Sequence, residues 1–134
     1  MALAAPMGQV YAVECDADAC ALVRQNQAKF AASNLTLIAG KALKRCKICR
    51  AGCCFHRRQQ GQYAGHCGCR PGRNPQTRLC IAAIALETLQ QSIAALAAHG
   101  LAAQVTQIAV SRSKAAGSLH LMMANNPVFL IVRE

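Results

Sequence analysis

The chain has 134 residues, 15 Lys and Arg against 5 Asp and Glu, a formal net charge of +10 and 54% hydrophobic residues. This length accommodates one domain but not two of ordinary size, and the apolar fraction excludes an intrinsically disordered chain. With 9 Gly and 4 Pro, collagen-like and low-complexity classes are excluded as well. The chain also has 9 cysteines, which is unusual for a basic chain that can form an apolar core. The positions of the cysteines and of the basic residues along the chain therefore have to be examined together.

Most of the excess charge and thiol content lies between residues 44 and 77. This segment holds eight of the basic residues, none of the acids and six of the nine cysteines, so the rest of the chain has a net charge of only +2. Basicity of the whole chain is therefore a poor argument for nucleic-acid binding. The sequence shows no secretory signal and no apolar run of membrane-spanning length. These observations predict a cytoplasmic protein, and in that reducing compartment clustered cysteines indicate metal or redox chemistry rather than structural disulfides.

The first forty residues predict a strand, a helix and a second strand. The run over residues 9–13 is apolar and β-rich, which is typical of a buried parallel strand. Asp16 or Asp18 can cap a helix over residues 19–30. Residues 35–39 form a second β-rich run after a short turn. The spacing of these elements is that of an ordinary strand–helix–strand unit.

The last third of the chain continues the alternation. Residues 79–84 and 104–110 predict strands, residues 111–118 predict a polar, mobile loop, and residues 128–132 predict a last strand. Between the first two strands, apolar residues recur every three or four positions and predict one helix face, made by Leu86, Leu89, Ile93 and Leu96. The whole pattern predicts a three-layer α/β domain with a mostly parallel sheet.

The cysteine-rich segment offers one metal-site hypothesis. Cys46 and Cys49 have the spacing of a zinc half-site, because two thiolates two residues apart can bind one tetrahedral ion. His66, Cys67 and Cys69 would supply the remaining ligands, although this order of ligands matches no common zinc finger. The basic residues nearby would suit phosphate contacts. One alternative function is therefore a small zinc-containing, nucleic-acid-binding protein.

A second interpretation of the same segment comes from the genetic code. If the last two bases of each codon are joined to the first base of the next, residues 44–77 can encode a string that contains PDAVFIGGSKGNMPA. Such a string predicts a strand, a glycine loop and an amphipathic helix, which are the elements missing from the α/β alternation. The hypothesis is that residues 44–77 are translated out of frame between two compensating indels. In the present frame the segment is then expected to be irregular.

The flanking residues resemble a known family. GQVYAVECDADACALVRQNQAKFAASNLTLIAGKA, over residues 8–42, resembles the segment from the second to the third strand of class I S-adenosylmethionine methyltransferases. The ending ANNPVFLIVRE and the Ser-Arg-Ser-Lys motif before it are similar to the decarboxylating precorrin-6Y methyltransferases, in particular their C-terminal, decarboxylating domain. The resemblance implies a Rossmann-like sheet, S-adenosylmethionine as cofactor and a precorrin as substrate in cobalamin biosynthesis. It implies homo-oligomers, with no nucleic-acid or membrane partner. A methyltransferase of the same fold with another small-molecule substrate stays open.

The resemblance also implies site residues. Glu14, at the end of the first predicted strand, corresponds to the acid that binds the cofactor ribose, and a carboxylate there can accept both ribose hydroxyls. The loop that lines the adenine would consist of Gly40, Lys41 and Ala42, with Lys41 standing where the family commonly has an acid. Arg112 and Lys114 would pair with corrinoid carboxylates. No catalytic residue is assigned, and no metal is expected under this interpretation.

Finally, the resemblance predicts a partial domain. The family's glycine-rich loop would precede Met1, and its fourth strand with the following helix falls on residues 44–77, so both are expected to be missing. We therefore expect one N-terminally truncated domain, with a second-to-third-strand unit over residues 1–43, the out-of-frame segment, and C-terminal strands and a helix over residues 78–134. Such a fragment is expected to have little activity, because the backbone amides that help to seat the cofactor would be absent.

Overall fold

The computed structural model describes residues 1–41, 52–57 and 77–133. The chain divides into two compact units, Met1–Ile48 and Cys49–Glu134, here called the first and the second unit. Among the described residues, no helix is both long enough and apolar enough to span a bilayer.

The first unit is a strand–helix–strand motif preceded by a short 3-10 turn at Ala2–Ala4. Its two strands are parallel, with Val10 opposite Leu35 and Glu14 opposite Ala39. The predicted unit is confirmed, with boundaries shifted by one or two residues; its elements are β1 at Val10–Glu14, α1 at Ala17–Lys29 and β2 at Leu35–Ala39.

Helix α1 begins where a local signal predicts it. The Asp16 side chain accepts a hydrogen bond from the main-chain N–H of Ala19 at 2.8 Å, so Asp16 is the N-cap residue. Cys20 is the residue of the helix that is fully buried. The helix ends at Lys29, and Phe30 forms the C-cap.

Two polar side chains tie the rest of the first unit together. The amide nitrogen of Asn34 donates to the main-chain carbonyls of Ala2, Ala5 and Gly8, at 3.1, 2.8 and 2.9 Å. Gln27 on α1 donates to the carbonyl of Leu35 at the start of β2, at 2.6 Å. The segment before β1 and the turn before β2 are therefore fixed by side-chain donors to backbone acceptors.

The second unit contains a four-stranded sheet and a helix, α2, at Leu86–Ala97. The strands of this sheet are β3 at Cys53–Arg57, β4 at Arg78–Ala83, β5 at Ala103–Ile108 and β8 at Val128–Arg133. They lie in the order β3–β4–β8–β5.

The core of this unit consists of Leu79, Ile81, Ala83, Leu96 and Ile131. Leu96 on α2 and Ile131 on β8 are at most 1% exposed, so the helix and the centre of the sheet share one core.

The predicted helix α2 and the predicted strands at β4, β5 and β8 are confirmed, and the sheet is mostly parallel as expected. Strands β3, β4 and β5 run in the same direction, and β8 is antiparallel to both β4 and β5. The chain returns from β5 to β8 through a hairpin rather than through a helix, which allows the antiparallel pairing.

The predicted mobile loop at residues 111–118 is a strand and a turn. Strand β6 at Ser111–Ala116 pairs antiparallel with β7 at Leu119–Ala124. Gly117 has a φ of 62° in the two-residue turn between them, a conformation in which glycine carries no Cβ penalty. Met122 and Met123, on β7, are 68% and 51% exposed on this hairpin.

The expectation that residues 44–77 are irregular and replace the fourth strand is wrong for Cys53–Arg57. These five residues form β3, with Cys54 packed against the core of the second unit. Strand β4 supplies the backbone partners, from Cys53 opposite Arg78 to Arg57 opposite Ala82. Pairing with a buried neighbour therefore compensates for the weak hydrophobic pattern of this run. Residues 44–51 and 58–76 lie outside the described residues.

Candidate functional site

The parallel strands of the first unit end side by side. Glu14, the last residue of β1, is opposite Ala39, the last residue of β2. The main-chain N–H of Gly40 donates to the carbonyl of Glu14 at 2.8 Å, which extends the pairing by one residue. Glu14, Gly40 and Lys41 are thus brought together at the carboxyl edge of the strands, where open α/β sheets bind their ligands.

The carboxylate of Glu14 is held by the backbone that follows it. Its Oε1 accepts the main-chain N–H of Cys15 at 2.7 Å and that of Asp16 at 2.9 Å. Oε2 makes no hydrogen bond to any residue in the described part of the chain. Glu14 therefore presents an acceptor whose position is fixed before any ligand arrives.

Helix α1 contacts the main chain of the same residue through Cys20. The thiol of Cys20, which is 5% exposed, donates to the main-chain carbonyl of Glu14 at 3.5 Å. This carbonyl also accepts the N–H of Gly40, so one oxygen links the helix, the end of β1 and the loop after β2. Sequence reasoning predicted Glu14 as a site residue but did not include its hydrogen-bond partners Cys15 and Cys20. The nearby N-cap signal at Asp16 pointed to this part of the chain.

The loop after β2 carries the other expected cofactor residues. Gly40 has a φ of 139°, a backbone conformation that residues with a side chain rarely adopt. Lys41 is exposed, and Ala42 lies outside the described residues. A glycine at this point lets the chain turn away from the strand directly beside the Glu14 backbone.

The two expected substrate residues lie in the second unit. Arg112 and Lys114 are exposed on β6, and their two-residue spacing places them on one face of the hairpin. Arg112 is opposite Met123 and Lys114 is opposite Leu121. This face of the hairpin therefore combines cationic and large apolar side chains.

The metal alternative finds no counterpart in the part of the chain that the structure describes. Within residues 1–41, 52–57 and 77–133, no group of three or more His, Cys, Asp and Glu side chains could hold a metal ion. The proposed ligands lie outside these ranges, so the zinc hypothesis stays a prediction; they are Cys46, Cys49, His66, Cys67 and Cys69.

One thiol of the second unit has a shifted pKa. Burial on the sheet raises the pKa of Cys80 on β4, and the neighbouring Cys53 on β3 raises it further. Cys53 lies diagonally across the two strands, since Cys53 is opposite Arg78 and Phe55 is opposite Cys80. The two thiols share a face of the sheet, with Cys80 held in its neutral form.

Comparison with known proteins gives one family and a consistent set of folds. Residues 1–133 match the model of a precorrin methyltransferase domain. No curated protein matches the chain significantly by sequence.

Solved structures are similar over nearly the whole chain. Precorrin 8W decarboxylase from Methanobacterium thermoautotrophicum is 25% identical, with a TM-score of 0.84 over 94% of this chain and 69% of that one. Precorrin-6y C5,15-methyltransferase from Geobacter metallireducens is 22% identical, with a TM-score of 0.82 over 96% and 68%. The C-terminal domain of the Rhodobacter capsulatus precorrin-6Y C5,15-methyltransferase is 19% identical, with a TM-score of 0.78 over 95% and 69%. The fold is therefore that of Rossmann-like methyltransferases with mixed α/β content.

Proposed function

The chain belongs to the precorrin methyltransferase domain family, and from this membership we propose that it acts in S-adenosylmethionine-dependent methylation of a precorrin in cobalamin biosynthesis. The decarboxylation of an acetate side chain is part of the proposal, because the family resemblance includes the decarboxylating domain. The observation that carries the proposal is the fixed carboxylate of Glu14 at the carboxyl edge of β1, beside Gly40.

The residues at this edge suit the adenosine part of the cofactor. A carboxylate accepts hydrogen bonds and donates none, so it matches the two hydroxyl donors of a ribose. Gly40 brings the backbone of the next loop beside the main chain of Glu14, and the exposed Lys41 follows it. S-adenosylmethionine, when bound, supplies an electrophilic methyl group. The contribution of Glu14, Gly40 and Lys41 is to bind and orient the nucleoside.

For the substrate, we assign the basic face of the β6–β7 hairpin. Precorrins carry several carboxylates around an apolar ring system, so they require cations beside apolar surface. Arg112 and Lys114 provide the cations, and Leu121 and Met123 are the large apolar residues opposite them. Arginine in particular can bind a carboxylate through two parallel hydrogen bonds.

Calorimetric titration with S-adenosylhomocysteine tests the cofactor assignment. We expect Glu14→Gln to weaken binding by about tenfold or more, since a charged acceptor for hydroxyl donors is replaced by a neutral amide. Asp18→Asn is the matched control, because Asp18 is an exposed acid in the first turn of α1. Equal affinities of the wild-type protein and Glu14→Gln would overturn the assignment.

Self-association, which the family resemblance implies, is proposed for the same hairpin. Both strands are exposed throughout, and a large exposed apolar side chain is typical of an interface. On the face of the hairpin opposite to Arg112 and Lys114, this side chain is Met122, which is paired with Ser113. We expect Met122→Lys to lower the mass measured by analytical ultracentrifugation. Leu86→Lys, on the exposed start of α2, is the control. If wild type and Met122→Lys have the same mass, this face of the hairpin is not the interface.

We also keep the proposal that residues 44–77 are translated out of frame. It is supported by the concentration of charge and thiols in this segment and by the strand–loop–helix pattern of the shifted reading. The shifted reading puts a strand at residues 53–57, which is also where β3 lies in the present frame, so the strand does not distinguish the two. An uninterrupted nucleotide sequence that confirms the present codons would overturn the proposal. The cytoplasmic location stays a prediction.

A further inference from the structure

The hydrogen bonds around Glu14 assign a role to a residue that does not reach the ligand. We propose that Asp16 is a positioning residue, whose main-chain N–H holds one carboxylate oxygen of Glu14 so that the other faces the ribose diol. This inference rests on the proposed binding of an adenosine cofactor. It adds the source of the preorganisation, which neither the position of Glu14 nor the family membership contains.

One carboxylate oxygen of Glu14 accepts two main-chain N–H groups. The N–H of Asp16 donates to Oε1 of Glu14 at 2.9 Å, and the N–H of Cys15 donates to the same oxygen at 2.7 Å. A glutamate side chain has three rotatable bonds, and it loses their freedom when it is fixed by a ligand. Two donors on one oxygen fix the side chain beforehand, so the ligand meets a carboxylate that needs no rearrangement.

Asp16 holds this donor in place because its own backbone is fixed at the start of α1. Its backbone has φ −81° and ψ 130°, and its carboxylate accepts the N–H of Ala19 at 2.8 Å. The cap therefore locks the backbone of Asp16 against the first turn of α1. The same residue binds the helix through its side chain and Glu14 through its main chain. Loss of the cap would loosen the N–H that Glu14 accepts.

The main chain of Glu14 is also fixed by hydrogen bonds. The carbonyl of Glu14 accepts the N–H of Gly40 and the thiol of Cys20. The backbone of Glu14 is thus fixed from β2 and from α1, while its side chain is fixed from Cys15 and Asp16. The carboxylate can therefore move only if its own side-chain hydrogen bonds are lost. Removing the Asp16 N–H thus tests the position of the carboxylate without disturbing the backbone of Glu14.

Substitutions at position 16 separate the donor from the cap. Asp16→Pro removes both the N–H and the cap, and the φ of −81° is compatible with proline. Asp16→Ala removes the cap and keeps the N–H. Asp16→Asn keeps the N–H and a side-chain cap while it removes the charge. Asp18→Ala is the control, because Asp18 is an acid of the first helical turn without a contact to Glu14 in the described residues.

The readout is discrimination between ribose and deoxyribose. We expect the wild-type chain and Asp16→Asn to bind S-adenosylhomocysteine more tightly than its 2′-deoxy counterpart by about tenfold. Asp16→Ala is expected to retain part of this ratio, and Asp16→Pro to reduce it to within about threefold. A role in folding alone would weaken both ligands equally and leave the ratio unchanged. An unchanged ratio in Asp16→Pro and Asp16→Ala would overturn the inference.

A measurement without any ligand keeps the two proposals apart. The amide resonances of Cys15 and Asp16 are expected to move upfield in Glu14→Gln, because their charged acceptor becomes a neutral amide. Absence of this difference between the wild-type protein and Glu14→Gln would overturn the positioning role. If the difference is present but S-adenosylhomocysteine does not bind, the cofactor proposal fails while the hydrogen bonds stand. If Asp16→Pro does not fold, the discrimination between ribose and deoxyribose is compared between Asp16→Ala and Asp16→Asn. Equal discrimination in these two variants would then overturn the inference.

Discussion

The two units are stabilised in different ways. In the first unit, the buried apolar residues among those described are the small side chains Cys20 and Ala32. Its elements are linked by polar side chains that bind backbone groups, as Asn34 and Gln27 do. In the second unit, α2 and the sheet bury a contiguous apolar core around Leu96.

This difference separates stability from positioning. Burial of a large apolar side chain contributes about 1.5–3 kcal/mol, whereas a typical hydrogen bond contributes a net 0.5–1.5 kcal/mol. Hydrogen bonds are directional, however, and they fix where an atom lies. The candidate cofactor residue Glu14 belongs to the unit that is organised by directional contacts. The unit with the apolar core carries the greater share of stability per residue.

The most direct test of the apolar core is truncation of Leu96. We expect Leu96→Ala to lower the free energy of unfolding by about 2–5 kcal/mol, because a fully buried side chain is replaced by a cavity. The same substitution at Leu86, which is 68% exposed on the same helix, should change stability by less than about 0.5 kcal/mol. Urea unfolding monitored by circular dichroism gives both values. Similar losses for the two variants would mean that α2 does not anchor the core.

The corresponding test of the first unit is Asn34→Ala. The two amide hydrogens of Asn34 serve three carbonyls, so the truncation leaves the backbone of Ala2, Ala5 and Gly8 without this donor. We expect a loss of about 1–3 kcal/mol and faster proteolytic cleavage within residues 2–8. Asn26→Ala, at an exposed position on α1, is the control. Unchanged cleavage in Asn34→Ala would show that the segment is held by something else.

The sequence predicts the elements whose signals are local. The apolar runs of β1 and β2 and the cap at Asp16 lie in contiguous residues, so the first unit is predicted almost completely. Strand β3 was missed because Cys53–Arg57 has no clear alternation, and its stability depends on pairing with β4, which is distant in sequence. The hairpin was missed because Ser111–Ala116 is exposed throughout and has no buried face to impose a pattern.

The candidate site follows the same rule. The resemblance predicts that Glu14 is the ribose acid, and the strand predicted from the sequence ends at this residue, as β1 does in the structure. The two donors to its carboxylate depend on the side-chain rotamer of Glu14, which no sequence pattern specifies. The bond from Gly40 requires the register of β1 against β2, which is again a non-local property.

The β6–β7 hairpin belongs to the second unit, but all residues of its two strands are exposed. Its stability therefore depends on the turn, which a substitution of Gly117 tests. A Cβ on Gly117 would meet no atom within 4 Å, so the cost of Gly117→Ala is the φ of 62° alone. We expect about 1 kcal/mol, seen as faster hydrogen exchange of the hairpin amides. Gly52→Ala is a matched control, because its Cβ also has open space and its φ lies outside the left-handed region. Equal exchange rates in the two variants would contradict a conformational cost.

The smallest expected effect concerns pH and the second unit. Burial, and to a lesser extent Cys53, raises the pKa of Cys80 in the folded protein. The folded state then binds the proton more tightly than the unfolded state, so this contribution to stability is complete below the ordinary thiol pKa of about 8.5 and is lost as the pH rises above it. Urea unfolding at about pH 7 and about pH 9.5 should show a smaller loss in Cys80→Ser than in the wild-type protein. Cys53→Ser should retain most of the loss, because burial is the larger cause; an equal loss in wild type and Cys80→Ser would refute the assignment.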